Sequence, residues 1–415
     1  IEDVCPVPAE NFVFDISFAR IDALVGKHIP EETVRTIIDA LEVKVLAEKE
    51  GVLTVSVPPY RVDVQREADL IEDILRIYGY NNVEIPQQVR STLSYAPKPD
   101  RNALMNATAD FLTANGFSEI MSNSLTKGAY YEGLQAYPAE RCVRILNPLS
   151  ADLNVMRQTL LFNMLEAVAL NANHRNGDLK LYEFGNCYYY DASKRTDEQP
   201  LDAYSEQYRL AVAMTGTAVP ASWDAKPVAA SFFTLRAIAE KLLRRFGIDI
   251  YGLATEELRN DLFSEGLTLS LNGKELLQIG VVSAKICRQA DVKQPVYFLE
   301  ANFDALVKST KKLKITVEEL SKFPEVKRDL ALLVDSKVTF AALREVAFAT
   351  ERKLLKSVSL FDVYEGDKLP AGKKSYALSF VLEDKSRTLD DKTIERVMAN
   401  LAKQFEQKCG ATVRA

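Results

Sequence analysis

The order of hydrophobic and polar segments near the end of the chain is the strongest constraint on its fold. Apolar runs bounded by turn residues predict strands at 329–335, 358–365, 375–383 and 411–414. Apolar residues at helical spacing predict helices at 339–355 and 390–409 between them. The resulting β-α-β-β-α-β order is that of a ferredoxin-like module, which we place at residues 321–414.

A second compact module is predicted at residues 11–87. Helices are expected to begin near Ser17 and near Pro30. At Pro30 the acidic residues that follow suit the first turn of a helix. Two short apolar runs at 43–45 and 53–57 predict a hairpin, and residues 67–78 predict a further helix. Helices combined with a short hairpin are typical of a winged-helix-like module.

The region between these modules, residues 88–310, alternates groups of strands with long helices. Strands are predicted at 141–146, 179–190, 208–216, 267–271, 278–282 and 296–303, and helices at 101–115, 152–173 and 232–246. Strands that come in hairpin-like groups favour an antiparallel sheet over a βαβ pattern. The predicted fold class is therefore α+β, in a chain of several domains.

Charge is distributed unevenly along the 415 residues. The chain carries 52 basic and 58 acidic side chains, a net charge of −6, whereas residues from Lys314 onward carry 19 basic and 16 acidic ones. A basic end on an acidic body is expected if only that end touches a polyanion such as RNA.

Other features of the composition exclude several classes of protein. The five widely separated cysteines and two distant histidines argue against a disulfide framework and against a zinc site. No run of about 18 apolar residues predicts a membrane-spanning helix. We expect a cytoplasmic protein with no membrane partner and, because it begins with Ile1 rather than Met, one cut from a longer chain.

Four acidic residues form the sharpest local signal for a metal site. Asp69, Glu72 and Asp73 share one face of the predicted helix, and Asp63 lies just before that helix. Oxygen ligands without His or Cys favour Mg²⁺ or Ca²⁺. The same acids also suit a helix N-terminus, where the helix dipole stabilises negative charge without any metal.

The pattern of glycines excludes a glycine-rich nucleotide loop in this chain. The nearest glycines are five positions apart, at Gly128/Gly133 and Gly247/Gly252, and leucine rather than lysine follows each pair. The sequence therefore contains neither the Rossmann fingerprint nor a P-loop. We predict that the chain has no catalytic residues of its own.

Basic residues cluster around the predicted strands of the C-terminal module. Lys327 and Arg328 precede its first strand, Lys373 and Lys374 precede its third, and Arg387 follows the third. Loops and one sheet face of a ferredoxin-like fold can follow an RNA backbone. A solvated charged surface explains the same residues equally well.

Three groups of sequence motifs resemble the bacterial phenylalanyl-tRNA synthetase β subunits. The first module resembles the family's B5 domain, the middle resembles its class II synthetase-like core, and the end resembles its ferredoxin-fold anticodon-binding domain. The matching strings are PPYRVD at 58–63 and EADLIEDILRIYGY at 67–80, then NPLS at 147–150, MRQTLL at 156–161 and LYEFG at 181–185, then FPEVKRD at 323–329 and GATVR at 410–414.

The resemblance implies a specific role for this chain. It would be the C-terminal part of a β subunit that assembles with a catalytic, ATP-binding α subunit into an (αβ)₂ heterotetramer and contacts tRNA(Phe). The resemblance also assigns Mg²⁺ to Asp63, Asp69, Glu72 and Asp73. The alternative is a stand-alone RNA-binding or regulatory paralogue that reuses the same scaffold.

Overall fold

The computed structural model divides the chain into two compact units, Ile1–Pro97 and Lys98–Ala415. The residues that the structure describes are 2, 4–85, 87–88, 91–95, 98–313, 316–317, 319–366 and 369–414, with the backbone alone for Lys312.

The first unit contains a three-stranded antiparallel sheet packed with three helices. Its elements are β1 (Phe12–Ser17), α1 (Phe18–Val25), α2 (Glu31–Ala40), β2 (Lys44–Lys49), β3 (Val52–Val57) and α3 (Glu67–Tyr78). The sheet order is β1–β3–β2, and its buried residues share one core with Ile21, Val34 and Leu70 of the helices. The Ser17 hydroxyl accepts a hydrogen bond from the Arg20 amide and so caps α1 at the predicted position.

A seven-stranded sheet forms the centre of the second unit. Its order is β11–β12–β13–β14–β8–β7–β4, and adjacent strands are antiparallel except for the parallel pair β4–β7. The elements of this region are α4 (Arg101–Ala114), β4 (Ser118–Glu119), β5 (Leu125–Thr126), β6 (Val155–Met156), α5 (Leu161–Asn173), β7 (Leu179–Tyr190), β8 (Tyr204–Thr215), β9 (Thr217–Val219), β10 (Val228–Ala229), α6 (Phe232–Arg245), β11 (Ala254–Glu257), β12 (Phe263–Leu271), β13 (Lys274–Val282), α7 (Ala284–Gln289), β14 (Val296–Asn302) and α8 (Phe303–Ser309).

Both faces of this sheet are buried. Phe298 and Leu299, adjacent on β14, belong to two different hydrophobic clusters because strand side chains alternate between faces. Helix α5 contributes Leu165 to the first cluster, and helix α6 contributes Leu235 to the second.

The C-terminal part folds as the predicted ferredoxin-like module. Its elements are β15 (Val326–Asp335), α9 (Phe340–Thr350), β16 (Leu355–Tyr364), β17 (Lys373–Leu382), α10 (Asp391–Cys409) and β18 (Thr412–Arg414). The sheet is antiparallel, in the order β16–β17–β15–β18. Leu378 and Phe380 of β17 pack against Leu401 and Phe405 of α10. We call the sheet side opposite α9 and α10 the far face.

Two predictions in the central region were wrong. The strand predicted at 141–146 is instead a 3₁₀ turn at Ala139–Arg141 followed by a single bridge between Arg144 and Val155. The helix predicted from residue 152 begins only at Leu161. The Ser150 hydroxyl caps a separate 3₁₀ turn at Ala151–Leu153, the short strand β6 follows, and the Arg157 and Thr159 side chains before α5 enter buried hydrogen-bond networks.

The helix predicted at 339–355 also ends early, at Thr350. The Glu351 carboxylate accepts hydrogen bonds from the Lys353 and Leu354 amides and turns the chain into β16. The α+β class is confirmed in spite of these differences.

Among the helices of the described ranges, none combines the length and apolar composition that a membrane crossing needs.

Candidate functional site

Asp69, the first of the predicted magnesium ligands on α3, caps its own helix. Its carboxylate accepts hydrogen bonds from the Arg66 amide at 3.0 Å and the Gln65 amide at 3.2 Å. The Arg66 guanidinium lies 3.2 Å from the same carboxylate. The hydrogen bond from the Arg66 side chain, together with the backbone bonds, lowers the pKa of Asp69. The negative charge of Asp69 is therefore balanced within the first turn of the helix.

Asp73 is buried between two arginines. One carboxylate oxygen accepts a hydrogen bond from Arg61, and the other accepts one from Arg76 at 2.5 Å. Only 6% of the Asp73 side chain is exposed, and the Arg61 guanidinium also lies 4.0 Å from Asp63. Both oxygens of Asp73 are thus occupied by positive charge from the protein itself.

The four predicted ligands do not fit a divalent cation in this arrangement. Asp63 and Glu72 are exposed, whereas Asp69 and Asp73 are engaged by arginines. Across the described ranges, no group of three or more His, Cys, Asp and Glu side chains is placed to hold a metal ion. The Mg²⁺ ligand set that the family resemblance implies is thus not supported by this arrangement. Arg61, Arg66 and Arg76, close to the acids in the sequence, are the signal for internal charge balance.

The five predicted RNA contacts lie in different environments of the C-terminal module. Lys327 and Lys373 occupy far-face positions, since they alternate with residues that pack against the helices. Arg328 lies 3.7 Å from Asp391, and Arg387 lies 3.3 Å from Asp384, so both are in ion pairs.

Lys374, the fifth residue, is only 9% exposed. Its ammonium group lies 4.8 Å from the ring centroid of Tyr376, on the helix side of the sheet. The five residues therefore do not form one continuous basic surface, and their role in RNA binding stays a prediction.

The far face carries a row of residues that sequence reasoning missed. The row crosses the four strands β16, β17, β15 and β18 and consists, in that order, of Asp362, Ala377, Ala331 and Arg414. Two alanines in the middle leave a shallow floor between a carboxylate and a guanidinium. The alternating pattern of each strand could have revealed this row once the strand order was known.

An aromatic ring lies beside this row on the same face. Tyr364 lies two residues after Asp362 on β16, where it pairs with Ser375 of β17, and it is 37% exposed. Tyr376 and Phe380 are buried, but Phe361 is 59% exposed.

The central domain contains a buried ion pair between Arg157 and Glu183. Their side chains are 3% and 1% exposed, and Arg157 Nη1 lies 2.8 Å from Glu183 Oε1. The Ser122 hydroxyl also donates to Glu183 and accepts from Arg157. A side chain at Gly185 would place its Cβ 2.1 Å from the Arg157 guanidinium and would displace that group from its buried position. The motifs MRQTLL and LYEFG thus build one polar network.

A second buried network surrounds Glu300 on β14. Its carboxylate accepts hydrogen bonds from Arg209 at 2.8 Å, Thr159 at 2.8 Å and Tyr137 at 3.2 Å, and from the Leu160 amide. Burial alone would lower the pKa of the Arg209 guanidinium, but the Glu300 charge raises it overall. Both networks pair their charges inside the protein.

Family models match three consecutive parts of this chain. The tRNA synthetase B5 domain matches residues 14–80, the phenylalanyl tRNA synthetase beta chain CLM domain matches residues 85–303, and the ferredoxin-fold anticodon binding domain matches residues 321–414. The beta chain CLM model alone spans more than half of the sequence. The chain belongs to the phenylalanyl-tRNA synthetase beta chain family.

Curated relatives carry the same family name. The phenylalanine–tRNA ligase beta subunit of Bacteroides fragilis (strain YCH46) is 50% identical over 416 residues, which is 100% of this chain and 51% of that protein. The corresponding Porphyromonas gingivalis subunit is 44% identical, over 99% of this chain and 50% of that protein. The chain therefore spans about half the length of the curated relatives it matches.

The likeness to one solved synthetase structure is weak. A pyrrolysyl-tRNA synthetase from Desulfitobacterium hafniense covers 52% of this chain and 74% of its own, at 14% identity and a TM-score of 0.38. This likeness is too low to define the fold.

The predicted family membership is confirmed, and a separate regulatory paralogue is not favoured. The string EADLIEDILRIYGY covers helix α3 and its end, and the strings MRQTLL and LYEFG build the Arg157–Glu183 network. These three strings of the family resemblance therefore have structural roles in this chain.

Proposed function

We propose that this chain is part of a phenylalanine–tRNA ligase β subunit and supports the ATP-dependent attachment of phenylalanine to tRNA(Phe). In this proposal the α subunit binds ATP and performs catalysis, and the two subunits assemble as an (αβ)₂ heterotetramer. The observation that carries the proposal is the uninterrupted order of three family domains along nearly the whole chain.

The central domain has the role of a scaffold in this proposal. Its two buried networks pair Arg157 with Glu183 and Arg209 with Glu300, which leaves those four charges unavailable to a substrate. Buried, hydrogen-bonded pairs of this kind fix the relative positions of strands and loops. The domain would thus present a rigid surface to the α subunit.

The far face of the C-terminal module is the proposed contact for unpaired tRNA bases. Tyr364 provides an exposed ring on which a base can stack, and the alanine floor leaves space beside it. Asp362 can accept hydrogen bonds from base amino or imino groups, and Arg414 can donate to phosphate or to a base.

The remaining predicted contacts take different places in this proposal. Lys327 and Lys373 lie on the same face and would add phosphate contacts. Arg328, Lys374 and Arg387 stay predictions, since each is already paired or stacked within the module. No step of the proposed function uses the Mg²⁺ site, because its four acids do not fit the ion as arranged.

Activity with a partner tests the subunit assignment. The chain is mixed with the α subunit of the same organism, and phenylalanine-dependent pyrophosphate exchange is assayed on the resolved complex. We expect exchange from the complex and none from the chain alone. Exchange by the chain alone would refute the scaffold role.

Binding of tRNA(Phe) tests the far face. Losing one base stack should weaken binding by about 5- to 150-fold, so Tyr364→Ala should show this loss. Tyr364→Phe keeps the ring and should bind as the unsubstituted chain does. Equal binding by Tyr364→Ala would remove the far face from the proposal.

A further inference from the structure

An arginine of the C-terminal module stacks on an aromatic ring of the central domain. Arg344 lies on α9, and its guanidinium carbon is 3.4 Å from the ring centroid of Tyr251. Tyr251 belongs to a 3₁₀ turn, Ile250–Gly252, that follows α6 in the central domain. The guanidinium carbon also lies 4.5 Å from the ring centroid of Phe348, one turn along α9. Arg344 therefore has an aromatic partner in each domain.

The chemistry of this contact favours arginine and a flat aromatic partner. A guanidinium is planar and weakly hydrated, so it stacks on rings in a way that the ammonium of lysine cannot reproduce. The Arg344 Nε atom is buried and has no hydrogen-bond partner among the described residues. A buried donor without a partner is costly, so the aromatic contacts with Tyr251 and Phe348 must offset that cost.

A second contact reaches the same part of the central domain. Leu313, in the segment that joins the domain to the module, lies over Gly247 at the end of α6. A Cβ atom on Gly247 would lie 2.5 Å from the Leu313 methyl groups, and the φ of Gly247 is +70°. The connecting segment and the module thus both pack against residues 247–251 of the central domain.

We propose that Arg344, stacked on Tyr251, fixes the orientation of the C-terminal module on the central domain. It is a positioning residue: it holds the far face in one place relative to the rest of the unit without contacting RNA itself. The docking contact stands on the geometry alone, and its consequence for tRNA rests on the proposed function.

Tyr251→Leu is the decisive variant, because it removes the ring from outside the C-terminal module. Tyr251 is 49% exposed, so loss of the stack should raise the ratio of undocked to docked modules by about 2- to 30-fold. Protease cleavage between residues 309 and 326, which join α8 to β15, should rise by the same factor. Hydrogen exchange in β17 and α10 should not change, which shows that the module remains folded.

Three further variants serve as controls and as an independent test. Tyr251→Phe keeps the ring and should restore the cleavage rate of the unsubstituted chain. Arg344→Lys keeps the charge but loses the planar group, so it should behave like Tyr251→Leu. Arg352→Met changes an exposed arginine of the same module and should have no effect. If Tyr251→Leu is cleaved no faster than Arg352→Met, the docking role is refuted.

Kinetics of the complex with the α subunit test the consequence for tRNA. Tyr251→Leu should raise the KM for tRNA several-fold and leave phenylalanine-dependent pyrophosphate exchange unchanged. An unchanged KM would refute the positioning role. If the unsubstituted complex shows no exchange, the proposed function fails, while the cleavage experiment still decides whether Arg344 docks the module.

Discussion

Replacing Arg157 with methionine should destabilise the central domain strongly. The Arg157 side chain donates to the Asn186 carbonyl at 3.0 Å, to the Ser122 hydroxyl at 2.9 Å and to Glu183 at 2.8 Å. Its removal would leave the Glu183 carboxylate, 1% exposed, without its countercharge. Breaking a buried pair in this way costs about 3–5 kcal/mol, or about two to four orders of magnitude in the opening equilibrium.

Hydrogen exchange of the β7 amides measures this loss within the central domain. Protection of β7 in Arg157→Met should fall by that factor. The matched control is Arg236→Met, which breaks an ion pair with Glu240 whose side chains are 43% and 29% exposed. Partly exposed helix pairs contribute little, so the control should change protection by about twofold at most.

A double variant separates the ion pair from general packing. Adding Glu183→Leu to Arg157→Met removes the unpaired carboxylate, so the double variant should be more stable than the sum of the single changes by about 1–3 kcal/mol. Two outcomes would refute the reasoning. One is an Arg157→Met variant as stable as the control, and the other is strict additivity of the two changes.

Two further predictions concern charged residues of the first module and of the C-terminal module. Millimolar Mg²⁺ should not raise the unfolding temperature of the chain alone, because Arg61 and Arg76 already bind both carboxylate oxygens of Asp73. A magnesium-dependent rise in the unfolding temperature that Asp73→Asn abolishes would contradict this. Asp390 caps α10, and its hydrogen bonds with Thr393 lower its pKa below the ordinary value of 3.8. A carboxylate with a lowered pKa stabilises the fold above the unfolded value, so helicity measured by circular dichroism should fall as the pH drops through the lowered pKa. Asp390→Asn keeps a capping oxygen and should weaken this pH dependence, and an unchanged profile would refute the assignment.

Local signals predicted the elements that depend only on neighbours in the sequence. Helix α3 has the predicted bounds Glu67–Tyr78, because its apolar period, its acidic first turn and Gly79 all act within the helix. The start of α5 was missed for the opposite reason. Residues before it resemble helix formers, but the Arg157 side chain is bound by Glu183, which lies 26 positions away. No local pattern encodes a partner at that distance.

The candidate sites show the same distinction between position and partner. Helical spacing correctly placed Asp69 and Asp73 on one helix, but it did not reveal that Arg61 would take a carboxylate oxygen of Asp73. On the far face, Asp362 and Arg414 become neighbours only through two intervening strands.

The placement of charge separates the structural parts of the chain from the part proposed to bind RNA. In the central domain, Arg157 and Arg209 are buried beside carboxylates, and a buried charge pair is costly to break. On the far face, Asp362 and Arg414 are exposed and separated by alanines, so neither must lose a buried partner before it meets a ligand. Binding at the far face therefore requires no unfolding of the module. An RNA contact that used Lys374 would first have to break its stack with Tyr376, which makes the far face the better candidate.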